Sequence, residues 1–211
     1  MSNLIGIIGC MDSGKDTVGK IIRKYSTHRY YEIKKFADKL KDIVCLLIGC
    51  TREDLEDREF KEKELGEEWW YYKLPNNSLI SYLDENQPDF IKKYTLIKLT
   101  PRKLLQLLGT ECGRNIIHTN IWINALFADY KFIERTKEYP NWIITDVRFP
   151  NEVEAIRNRG GVLIKLTRNM NTDSLHESEI HIPALYSDFT IDNEDISLEE
   201  LEEKVKSLNL T

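Results

Sequence analysis

The sequence predicts an α/β fold, a three-layer sandwich built on a five-stranded, mainly parallel sheet. Three observations predict it. Five short apolar runs alternate with segments of helical period. The first run, Leu4 to Ile8, passes directly into Gly9, four intervening residues, Gly14 and Lys15, which is the G-x-x-x-x-G-K spacing. The later runs end in polar residues, Asp146, Arg168 and Asn193 among them, and ligands of open α/β sheets bind at those carboxyl ends.

The glycine-bracketed stretch is a phosphate-binding loop (P-loop) of the NTPase type. Glycines let the backbone turn its N–H groups inward on an anion, and the helix that starts near Lys15 adds the positive end of its dipole. Gly9 and Gly14 bracket this cradle, and Thr17 would sit near the α-phosphate. Lys15 would reach the β- and γ-phosphates as a point charge. The residue after that lysine is Asp16, where such loops usually carry Ser or Thr. A carboxylate is also a hard oxygen ligand, so Asp16 is expected to hold Mg²⁺.

Lys15 to Tyr25 reads as the first helix, with Val18, Ile21 and Ile22 on one face. Tyr30 to Ala37 is the second strand candidate, and a helix runs from Asp38, as N-cap, to about Ile48. Thr51 to Glu68 is heavily charged and reads as a solvated helical face; Arg52 and Arg58 are candidate phosphate contacts there. Trp69, Trp70, Tyr71 and Tyr72 follow, with packing the favoured reading over base stacking, and then a turn signal at Pro75-Asn76-Asn77. The chain is expected to be a single domain, residues 1–211. About 50–100 would be an inserted segment covering the acceptor site.

Thr100 reads as an N-cap with Pro101 at the first helical position, followed by an apolar face of Leu104, Leu105, Leu107 and Leu108. Arg102 and Gln106 share a helix face, and Gly109 and Gly113 interrupt the pattern before Arg114. A helix over about Asn120 to Lys137 is expected next. Trp142 to Asp146 is the third strand, and Asp146 has the place of a Walker B carboxylate that positions Mg²⁺. Arg148 and a helix from Pro150 to about Asn158 follow, and Gly160-Gly161 ends that helix. Val162 to Leu166 is the fourth strand, with Arg168 beyond it. The polar stretch at about 168–182 is expected to be a lid. Ser187 to Asp192 is the fifth strand, and Ser197 to Glu200 is a capping box opening a last helix with Leu198, Leu201, Val205 and Leu208 inward.

Composition excludes several classes. The net charge of -5 argues against broad binding to a nucleic-acid polymer. The four cysteines form no C-x-x-C pair and read as buried free thiols of a reducing compartment. No run approaches membrane-spanning length, and the N-terminus lacks a basic segment of the signal-peptide kind.

The set Arg102, Arg114, Arg148 and Arg168 suggests the reaction type. An alcohol acceptor needs a general base, whereas a phosphate acceptor is already anionic and needs cations to offset repulsion. Arginine binds phosphate bidentately. The inventory favours phosphoryl transfer to a nucleoside monophosphate.

These blocks resemble the deoxynucleoside monophosphate kinases of bacteriophages and other large DNA viruses. The resemblance rests on G-C-M-D-S-G-K-D-T (Gly9 to Thr17), F-A-D-K-L-K (Phe36 to Lys41) and T-P-R-K-L-L-Q-L-L-G-T-E-C-G-R (Thr100 to Arg114) with Trp122. It rests also on I-T-D-V-R-F-P-N-E (Ile144 to Glu152), H-E-S-E (His176 to Glu179) and I-D-N (Ile191 to Asn193). It implies a nucleoside monophosphate kinase-like fold and phosphorylation of a deoxynucleoside monophosphate with ATP and Mg²⁺ in the cytoplasm, and it suggests a homodimer. It implies that Asp12, Ser13, Gly14, Lys15, Asp16 and Thr17 bind the ATP phosphates and that Phe36, Ala37, Asp38, Arg102, Gln106 and Arg114 meet the acceptor, with Lys15, Arg148 and Arg168 catalytic and Asn193 near the adenine. Met11 and Asp12 stand where members often carry basic residues. The I-D-N and S-L-E-E ending also resembles dephospho-coenzyme A kinases, which lack the Thr100 to Arg114 block. A nucleoside kinase with Asp38 as base and a nucleotide-binding regulatory protein are the remaining alternatives.

Overall fold

A computed structural model describes residues 2–73, 79–80, 95–168 and 182–210. The chain divides into two compact units, one of Met1–Lys39 with Asn120–Thr211 and one of Leu40–Thr119.

The first unit is built on β1 (Leu4–Ile8), β2 (Glu32–Lys34), β6 (Trp142–Val147), β7 (Val162–Thr167) and β8 (Phe189–Asp192). They form one sheet in the order β2-β6-β1-β7-β8, and every neighbouring pair is parallel. β1 lies at the centre and is buried on both faces, which is why it reads as a continuous apolar run. The two-residue alternation divides its side chains. Ile5 and Ile7 join a core with Val18, Ile21 and Ile22 of α1 (Lys15–Tyr25) and Leu201 and Val205 of α7 (Leu198–Ser207). On the other face, Gly6 lies under Ile156 of α6 (Pro150–Arg157), and a Cβ there would come within 2.6 Å of the Ile156 Cδ1. Burying each of these isoleucines and leucines contributes about 1.5–3 kcal/mol.

Several expected boundaries differ. β2 is Glu32–Lys34 rather than Tyr30 to Ala37, because Phe36 and Ala37 turn their N–H groups onto the Asp146 carboxylate. The helix expected over Asn120 to Lys137 is α5, Ile121–Phe127. Tertiary aromatic packing ends it: Tyr130 stacks on Tyr139 at 5.2 Å and lies 4.9 Å from Trp142. Asp38 opens α2 (Asp38–Ile48), but its carboxylate accepts the Lys35 N–H at 2.8 Å, closing the turn before the helix. Leu198, expected inward, is 54% exposed.

The second unit begins within α2. It holds α3 (Arg58–Glu62), a three-stranded antiparallel sheet of β4 (Leu79–Ile80), β3 (Tyr71–Lys73) and β5 (Thr95–Ile97), and α4 (Pro101–Gln106). Thr51 to Glu68 is turns, α3 and the start of a short 3₁₀ turn, not one helix. Asp57 stops any continuation by capping α3 at the Phe60 N–H. Trp70 packs: its indole N–H donates to the Leu65 carbonyl at 3.1 Å, and Lys98 lies over its ring. Thr100 caps α4 at the Lys103 N–H, with Pro101 at the first position, as expected. Leu107–Ile117 then continues as a π-helix, whose wide turns accommodate Gly109 against Leu40. The four thiols are free, and all are partly accessible rather than buried. Among the described residues no helix is long and apolar enough to cross a membrane.

Candidate active site

The P-loop joins β1 to α1 at the carboxyl edge of the parallel sheet. Two of its residues are left-handed, Asp12 at φ 59° and Gly14 at φ 95°. Gly14 is required twice, since its φ disfavours a side chain and a Cβ would lie 2.8 Å from the Asn193 Nδ2. A Cβ on Gly9 would meet the Ser13 Oγ at 2.4 Å. Ser13 is buried, and its N–H donates to the Cys10 carbonyl. The Lys15 ammonium donates to the same carbonyl, so the lysine lies along its own loop. From the far strands, Asn193 donates to the Ser13 carbonyl at 2.8 Å and Arg168 to the Asp12 carbonyl at 3.1 Å. Both expected site residues thus brace the loop backbone.

Asp16 heads α1 and carries the first carboxylate of this edge. Its Oδ1 accepts from the Thr145 hydroxyl at 2.6 Å, and its Oδ2 accepts from the Lys35 ammonium at 2.8 Å. Burial alone would raise this carboxyl, but the hydrogen bonds from Lys35 and Thr145 and the charges of Lys35 and Lys15 outweigh it and hold it below the ordinary range. Gly19, one turn further along α1, lets the helix approach β6 closely; a Cβ there would meet the Thr145 Cγ2 at 2.8 Å. Thr17 follows Asp16 in the first turn and is half-buried.

Asp146 carries the second carboxylate. Its Oδ1 accepts the Phe36 N–H at 2.8 Å and its Oδ2 the Ala37 N–H at 3.0 Å. Burial raises this carboxyl, and the two N–H bonds and Arg148 offset only part of the rise. Asp146 therefore fixes the loop after β2, which contains three residues expected at the acceptor, Phe36, Ala37 and Asp38. Arg148 stands just past β6, where its N–H donates to Glu152 at 2.8 Å. Glu152 is 2% exposed and also accepts the Phe149 N–H.

Arg102, Gln106 and Arg114 belong to the second unit. Arg102 pairs with the Glu62 carboxylate, Gln106 ends α4, and Arg114 lies half-buried in the π-helix. Arg52 pairs with Asp42 at 2.7 Å. The 169–181 part of the expected lid, His176 to Glu179 included, and the Pro75-Asn76-Asn77 turn lie outside the described residues.

Sequence reasoning missed Lys35, Thr145 and Glu152 as parts of this edge. Thr145 had a signal, a hydroxyl in an apolar strand two residues from Ile143 and hence on the face toward α1. Glu152 had one too, three residues after Phe149 with Pro150 between, the spacing at which a glutamate reaches back to the helix start. Lys35 had none, since a lysine at a strand end is ordinarily solvated.

A family model described as deoxynucleotide monophosphate kinase matches residues 71–205. The chain belongs to the deoxynucleotide monophosphate kinase family. It is 30% identical to the deoxynucleoside-5′-monophosphate kinase of Escherichia phage T5, over 88% of this chain and 87% of that protein. It is 28% identical to a putative deoxynucleotide monophosphate kinase of Acanthamoeba polyphaga mimivirus, over 87% and 84% of the two chains. It is 27% identical to the deoxynucleotide monophosphate kinase of Enterobacteria phage T4, over 97% of each. The all-parallel P-loop unit, with Asp16 after the lysine, is the arrangement this family member presents at its sheet edge.

Proposed function

We propose that this chain transfers the γ-phosphoryl group of ATP to the phosphate of a deoxynucleoside monophosphate, giving ADP and the deoxynucleoside diphosphate. The observation that carries the reading is the edge where Lys15 and the twice-held Asp16 carboxylate open one helix beside the left-handed Gly14. Family membership supplies the acceptor class.

In this reading the loop N–H groups and the α1 terminus hold the donor phosphates, and Lys15 leaves the Cys10 carbonyl to bridge them. Arg148 and Arg168 offset charge on the transferring group, and Asn193 borders the adenine. Asp146 keeps Phe36, Ala37 and Asp38 in place as one wall of the acceptor site. Arg102, Gln106 and Arg114 are the residues that this reading assigns to the acceptor phosphate. The chain pairs as a homodimer and works in the cytoplasm of a host or bacterial cell.

The donor set suits Mg²⁺. Among the described residues no group of three or more His, Cys, Asp or Glu could hold a metal ion. Magnesium is bound through one or two carboxylates with substrate phosphates, and Asp16 would be such a ligand, with Asp146 the second carboxylate of the edge. When bound, Mg²⁺ would supply positive charge that offsets the negative charge of the phosphates. The Asp38 carboxylate accepts the Lys35 N–H through one oxygen, which gives it a structural role in the turn before α2.

The test is ADP release with ATP and Mg²⁺ against deoxynucleoside and ribonucleoside monophosphates, dephospho-coenzyme A and nucleosides. Turnover on the deoxynucleoside monophosphates is expected. Turnover confined to dephospho-coenzyme A or nucleosides would overturn the acceptor, and nucleotide binding without any turnover would overturn the enzyme.

A further inference from the structure

Asp16 presents an oddity for a carboxylate at a helix start. Its side chain is 55% exposed, yet each of its oxygens is held, one by Thr145 of β6 and one by Lys35 just beyond β2. Three elements of the first unit converge on one solvent-facing group. An exposed ion pair of this kind is worth about 0–1 kcal/mol, so stability does not account for it, and it is readily exchanged.

The neighbouring lysine shows the contrast. Lys34 pairs with Glu32 of its own strand at 2.6 Å and lies over the Trp142 ring, whereas Lys35 reaches Asp16. Two ammonium groups, Lys15 and Lys35, therefore act on the Asp16 carboxylate. Both charges would oppose a divalent cation at that carboxylate. Lys15 is 8% exposed and bonded within its loop, whereas the Lys35 side chain is 26% exposed and hangs from a strand end. Lys35 is the more exposed of the two.

We propose that Lys35 is a positioning residue for the transfer: its ammonium holds and aims the Asp16 carboxylate, and yields it to the divalent cation that enters with the nucleotide. The inference rests on the phosphotransferase reading above. Released from Asp16, Lys35 remains on the wall formed by Phe36 and Ala37, where its charge serves the acceptor phosphate. Cation entry and acceptor binding are thereby coupled through one side chain.

The experiment measures Mn²⁺ affinity of the full chain in the presence of the non-hydrolysable imido analogue of ATP, by the electron paramagnetic resonance signal of free Mn²⁺. Lys35→Met removes the competitor and is expected to tighten Mn²⁺ binding about threefold to tenfold, while Lys35→Arg keeps the unaltered affinity. Lys34→Met removes the same charge one residue away and is expected to change little. In turnover, Lys35→Met should raise KM for the acceptor while leaving KM for ATP in place. Circular dichroism reports folding, and Lys35→Gln serves as the second variant. Unchanged Mn²⁺ affinity in Lys35→Met and Lys35→Gln, or equal tightening in Lys34→Met, would overturn the proposal for Lys35 alone. Failure of the unaltered protein to bind Mn²⁺ with the analogue would overturn the phosphotransferase reading as well.

Discussion

The two units hold their charged groups in different ways. In the first, the polar groups of the sheet edge bind backbone or a neighbouring strand. Asp146 takes two N–H groups, Glu152 takes two, and Asn193 and Arg168 hold loop carbonyls. In the second, Arg52 and Arg102 are held by carboxylates that are more than half exposed, Asp42 and Glu62. Backbone-anchored groups are preorganised and costly to move, whereas exposed ion pairs contribute little and release easily. The difference teaches that the groups of the sheet edge are preorganised by the backbone, while the Arg52 and Arg102 ion pairs of the second unit are the more readily exchanged.

The largest expected effect breaks the first unit's chemistry and spares its fold. Lys15→Ala should lower phosphoryl transfer by roughly 10²–10³-fold or more, by analogy with loss of one transition-state donor, with an unchanged circular dichroism spectrum. Transfer within a few-fold of the unaltered protein would remove Lys15 from the mechanism.

Gly14→Ala tests whether the loop's geometry carries the first unit. Its φ of 95° and the 2.8 Å approach of a Cβ to Asn193 predict a loss of about 1–2 kcal/mol in urea unfolding. ATP affinity should weaken with it. Unaltered stability would mean that the loop relaxes freely, and the contrast between the units would fail.

Arg102→Ala sharpens the other half. Stability should change by less than about 1 kcal/mol, because the partner Glu62 is 56% exposed. KM for the acceptor should rise about tenfold, the equivalent of about 1.4 kcal/mol, with KM for ATP unmoved. An equal rise in both would place Arg102 on the donor side.

The smallest effect is alkaline. Burial pushes the Tyr130 hydroxyl up to about 12. Below about pH 10, the ordinary tyrosine value, folded and unfolded chains both keep the proton and the contribution is whole. Between about 10 and 12 the unfolded chain loses its proton first, so stability falls as pH rises. Tyr130→Phe should flatten that fall, measured as Tm against pH. An unaltered slope would show that the ring stack does not shield the hydroxyl.

The sequence alone determined much of the first unit. β1, the P-loop and α1 were legible to the residue, because a continuous apolar run, two required glycines and a helix start act within a few positions of one another. The Asp16 departure and the strand-end Asp146 were legible as candidate carboxylates for the same local reason. The second unit was hardest to read: its charged run at 51–68 names no period, and its small sheet pairs strands by tyrosines that the chain uses equally for packing elsewhere.

Only the tertiary structure decided which groups meet. Lys35, Thr145 and Asp16 come from the end of β2, from β6 and from α1, and no spacing in the sequence links them. The parallel order β2-β6-β1 does, by bringing strand ends distant in the chain to one edge. It also ended α5 at Phe127, because stacking Tyr130 on Tyr139 and against Trp142 outweighs the few tenths of a kcal/mol per residue that helix propensity offers. Local chemistry writes the phosphate loop into the chain, and long-range packing selects its partners.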